Sequence, residues 1–128
     1  MIFKTRSRIR AGVPTITGMI FTEDLLKEKI VGAEGKPVYW PEKGPQYVVG
    51  KILKAEMVNG EVWLTYSIDD PEAIKVIKGR QQAAFAGFAY EPETNTYGPV
   101  MGAYIYDIEP DRLEESDEYF HQVIREKE

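Results

Sequence analysis

At 128 residues with a formal net charge of −5, the chain is the size of one domain and is poorly suited to nonspecific contact with nucleic acid over its whole surface. No apolar run approaches the ~18 residues that a membrane-spanning helix requires, and the opening MIFKTRSRIR lacks the apolar segment of a secretory signal. The absence of cysteine excludes disulfides, thiolate nucleophiles and sulfur-ligated metals, and a single histidine leaves little for an imidazole site, so neither metal nor cofactor is expected.

The first element reads as a basic strand over 1–10. Lys4, Arg6, Arg8 and Arg10 alternate, so an extended backbone puts all four on one face, as a solvated surface or as a binding patch. Ala11-Gly12-Val13-Pro14 breaks it, and Thr15 to Phe21 reads as a short extended piece. Thr22 followed by Glu23 and Asp24 marks a helix start, with Leu25, Leu26 and Ile30 as its apolar stripe. A brief strand at Gly35 to Trp40 precedes a loop forced by Pro41, Gly44 and Pro45.

The run from Tyr47 to Phe88 carries the strongest local instructions. Asn59-Gly60 suits a two-residue hairpin turn, and Val62, Leu64, Tyr66 and Ile68 alternate with polar or amphipathic neighbours. Asp70-Pro71-Glu72 supplies an N-cap, a proline at the first helical position and a first-turn acid, and the helix should close at Gly79. Strands follow at Gln81 to Tyr90 and Tyr97 to Ile108, and the acidic end, 110–128, reads as a helix with a thin apolar stripe. The sum is a single domain over 1–128: strand-dominated α+β, a mostly antiparallel, partly closed barrel of six or seven strands with two short helices and a C-terminal helix.

Nucleophilic hydrolysis needs a hydroxyl beside a base. The serines are Ser7, Ser67 and Ser116; Ser67 lies on the polar side of the central hairpin, and His121 sits in the acidic tail. The glycines form no phosphate-cradling loop with lysine and serine or threonine at the required spacing. Tyr39, Trp40, Tyr47, Phe85, Tyr104 and Tyr106 belong to a heavy mid-chain aromatic load, suited to core and cross-strand pairs or, where exposed, to a contact face.

One ordered pattern runs through two thirds of the chain: Lys36-Pro37-Val38 before a loop, Val49-Gly50-Lys51-Ile52, a hairpin, Asp70-Pro71-Glu72-Ala73 opening a helix closed by Gly79, Gly87-Phe88, and Tyr106-Asp107-Ile108. This order resembles the prohead proteases of tailed bacteriophages, capsid-maturation serine proteases that share a barrel with the herpesvirus assemblins. The resemblance implies a histidine just after the proline-valine strand, where Trp40, Pro41 and Glu42 stand. It implies a nucleophilic serine at the position of Phe85 and an acidic third member at Asp107. Base and nucleophile are both replaced, so the expectation is a protease-like barrel without protease activity, in host cytoplasm or virion, contacting a capsid or scaffold protein or its own copies, with no small-molecule ligand. The alternatives are a protease built on Ser67 or a threonine with His121, and a nucleic-acid-binding barrel using Lys4, Arg6, Arg8 and Arg10.

Overall fold

The computed structural model describes residues 1–15, 17–79, 81–108 and 120–123, with backbone alone at 7–9 and 120–123. Among them the elements are β1 (Ile2–Arg10), α1 (Glu23–Ile30), β2 (Pro37–Tyr39), β3 (Val48–Val58), β4 (Glu61–Ile68), α2 (Pro71–Lys78), β5 (Gln82–Glu91), β6 (Thr96–Asp107) and β7 (Phe120–Val123). The strands join in one curled sheet in the order β5-β6-β2-β3-β4-β1-β7. All described pairings are antiparallel except that of β2 with β6.

The β3–β4 hairpin turns at Asn59 and Gly60, whose φ angles of 52° and 78° are the positive values a two-residue turn demands. Along β4, Val62, Leu64, Tyr66 and Ile68 are buried while the residues between them are half-buried on the outer face. Phe3, Ile52, Leu64 and Tyr66 fill the concave side, with Phe21, Leu26 and Ile77 brought in from outside the sheet.

The curl is fastened through Tyr66. Its hydroxyl accepts from the Ala84 backbone N–H of β5 at 3.3 Å and shares a 2.6 Å hydrogen bond with the Thr5 hydroxyl of β1. A residue in mid-sheet thus ties both flanks across the interior of the half-barrel. Burial pushes its pKa up to about 12, so the phenol stays neutral at ordinary pH.

Helix α2 starts as its sequence dictates: the Asp70 carboxylate accepts from the N–H groups of Glu72 and Ala73 at 2.9 and 3.2 Å. The bond from Ala73, with others from Tyr47 and Glu72, holds this carboxyl below the usual range. A carboxylate lowered in the fold stabilises above its unfolded pKa, and that contribution vanishes as pH falls through the folded value. Asp70→Asn should therefore lower the melting temperature at pH 7 and show a shallower loss of stability on acidification than the parent, both read by thermal unfolding.

Two expectations are corrected. Phe120–Val123 do not belong to a terminal helix: they pair antiparallel with Ile2 to Thr5 as strand β7. β1 offers an open edge, and pairing with it satisfies the backbone groups of these residues. The remainder of 110–128 lies outside the described residues. The described residues between Pro14 and Phe21 form a loop rather than an extended piece, turning at Gly18 (φ 85°), whose N–H reaches the Thr15 carbonyl at 2.9 Å.

Candidate functional site

Because β2 and β6 run parallel, their C-terminal ends lie together, and β5, antiparallel to β6, begins at that same end. The 3-10 turn Pro41–Lys43 follows β2, Asp107 closes β6, and Gln82 opens β5 opposite Asp107 in the register. An open cleft of about 670 Å³ lies here, lined among others by Trp40, Glu42, Glu72, Lys75, Val76 and Gln82.

Gln82 is its centre. The side-chain Nε2 donates to Asp107 Oδ1 at 2.7 Å and to Glu42 Oε2 at 3.2 Å. Two carboxylates on one amide fix its orientation, since the reversed amide would set its oxygen against both. Its Oε1 is then left buried without a partner, as is the indole Nε1 of Trp40, which is 3% exposed. Lys43 lies 5.2 Å over the Trp40 ring and pairs with Glu72 at 3.1 Å, linking the turn to α2 across the cleft. The hydrogen bond that Lys43 donates to Glu72 raises the lysine's pKa, so the ammonium stays charged at neutral pH. The Tyr47 hydroxyl donates to Asp70 at 3.0 Å, which raises its own pKa and keeps it a poor nucleophile.

Of the positions implied by the resemblance, Trp40, Pro41, Glu42 and Asp107 therefore gather at one end of the sheet, with Glu42 and Asp107 joined through Gln82. Phe85 lies further along β5, opposite Tyr104 and 7% exposed, so its side chain belongs to the packed interior. Gln82 itself was missed by sequence reasoning: a glutamine opening an apolar strand carries no pattern, and its partners are 40 and 25 residues away.

The other candidates stand elsewhere. Ser67 is on the outer face of β4, between Ile2 and Lys51 in the register. His121 pairs with Lys4 in the register, while its side chain and Ser116 lie outside the described residues. Lys4 bonds Glu56 at 3.0 Å and lies 5.7 Å from the Trp63 ring; Arg6 meets Glu61 at 2.9 Å. The hydrogen bond from Lys4 holds the Glu56 carboxyl below its usual range. Half of the basic stripe is thus matched by acids of neighbouring strands. The register slips between Arg6 and Arg10, and the Arg8 side chain lies outside the described residues.

No helix among the described residues is long and apolar enough to cross a membrane, and these residues contain no cluster of three or more metal-ligating side chains. No family model matches the chain, and neither a curated protein nor a solved structure does.

Proposed function

We propose that the protein is a non-hydrolytic relative of the prohead proteases, serving as a structural or assembly component of a phage or prophage capsid through protein–protein contact. The observation that carries this reading is the Glu42–Gln82–Asp107 bridge. It stands at the end of the sheet where the resemblance puts a base and an acid, yet it holds two carboxylates on a neutral amide. The nucleophile's position is a buried phenylalanine. Without an activated hydroxyl, acyl transfer has no agent.

Two assays test the reading. A fluorophosphonate probe and purified scaffold and major capsid proteins of a tailed phage serve as substrates; neither labelling nor cleavage is expected. Labelling abolished by Ser67→Ala would reject the inactive reading. In shells assembled from the same two proteins, the chain should co-sediment with the particles. Its exclusion from them at every ratio would reject the capsid role.

A further inference from the structure

The two halves of the sheet have outer faces of different chemistry. Across β1, β4 and β3 the outer face carries Lys4, Arg6, Glu56, Glu61 and Lys54 in ion pairs. Across β2, β6 and β5 the positions that share the face of Tyr104 are Pro37, Tyr39, Gly102, Tyr106 and, from β5, Gly87, with Ala83 and Phe85 buried beside them; none is charged. Three rings form a panel there. Tyr39 and Tyr104 stack at 5.3 Å and 22°, and Tyr104 and Tyr106 at 6.4 Å and 16°.

Glycines make the panel flat. A Cβ at Gly87 would run into the Tyr104 ring, and one at Gly102 would lie 3.1 Å from Tyr39 Cε2 and 2.8 Å from the Pro37 carbonyl. The rings rest on bare backbone, with a face left outward. Tyr106 is 48% exposed, and Val48, opposite Tyr39 in the register, 56%.

Among the described residues charge stands at the ends of this strip, where Lys43 is taken up by Glu72 at 3.1 Å. Exposed Lys36 and Lys51 stand at the N-terminal end of β2, Lys51 opposite Pro37; exposed Glu42 and Asp107 stand at its C-terminal end. We infer that this face is where two copies of the chain meet, panel against panel about a two-fold axis with strands antiparallel, so that the lysine end of each lies over the acidic end of the other. A molecule with a net charge of −5 repels its own copy except where the approaching surfaces carry no charge or opposite charges, and this face meets both conditions. The inference rests on the assembly reading for its choice of partner and names the surface that reading needs.

Sedimentation equilibrium of the full chain over a concentration series tests it. A reversible dimer is expected, and Tyr106→Glu, with its fold checked by circular dichroism, should weaken it roughly thirtyfold, the effect of losing a central aromatic contact. Tyr90→Glu, an exposed tyrosine off the panel, should leave it unchanged. Lys51→Glu should weaken the dimer, and Glu42→Lys added to it should restore association. A monomer at all concentrations, a dimer indifferent to Tyr106→Glu, or a charge swap without rescue would each overturn the inference. A monomer says nothing of a nucleophile, and probe labelling says nothing of dimerisation, so this inference and the inactive reading fail separately.

Discussion

Gly50→Ala is expected to be among the most damaging single-methyl additions the chain can receive. In β3, Gly50 lies between Val38 of β2 and Ile68 of β4. A Cβ there would overlap the Ser67 carbonyl oxygen and stand 2.8 Å from its carbon. Both obstructing atoms are backbone, so relief requires β3 and β4 to part where the Asp69 N–H also bonds the Val49 carbonyl at 3.0 Å. The expected loss is about 3 kcal/mol, the upper end of what overpacking costs in a close-packed interior. Urea denaturation measures it. Gly79→Ala is the matched control: its backbone is right-handed helical and the nearest atom to an added Cβ is 3.4 Å away, so its midpoint should stay near the parent's. Equal midpoints for the two variants would dispose of the close-approach explanation.

Tyr66→Phe is expected to rank next, and for a different reason. The change keeps the ring, which packs at 5.9 Å from Phe3, and removes an oxygen that serves Thr5 and Ala84 in a fully buried setting. Two polar groups lose their partner away from water, at a cost of about 1–3 kcal/mol in denaturant unfolding. Thr5→Val added to Tyr66→Phe should recover part of the loss, because the orphaned hydroxyl goes while the Ala84 N–H stays unpaired. The cycle of four proteins isolates this coupling, and strict additivity would count against it. There is also a pH signature. A phenol whose pKa is raised in the fold contributes stability that is complete below the unfolded value of about 10 and is lost as pH rises towards the folded value of about 12. Parent protein should weaken in this alkaline window more steeply than Tyr66→Phe.

Where the sequence carries its information locally, the expected elements coincide with the structure. Asn59-Gly60, the alternation of β4 and the Asp70-Pro71 helix start each depend on neighbours a few residues apart, and each stands where its pattern puts it. Strand β7 and the loop after Pro14 depend on distant partners: β7 exists because β1 offers an edge. Alternation marked Tyr66 as inward-facing but could not say that its hydroxyl would reach β5. The candidate site is the extreme case. Glu42, Gln82 and Asp107 meet only because β2 and β6 are parallel, and a strand of three residues carries too little pattern to reveal its pairing.

That short parallel pairing also governs the order in which surfaces come into being. Val38 and Ala103 are partners, so 65 residues (103 − 38) separate the two sides of the seam. Closing so long a loop is entropically costly, whereas the β3–β4 hairpin closes over two residues. The seam cannot form on a ribosome until β6 has emerged. Both the Gln82 cleft and the tyrosine panel straddle it, which makes them late products of folding. A half-made chain therefore presents neither surface.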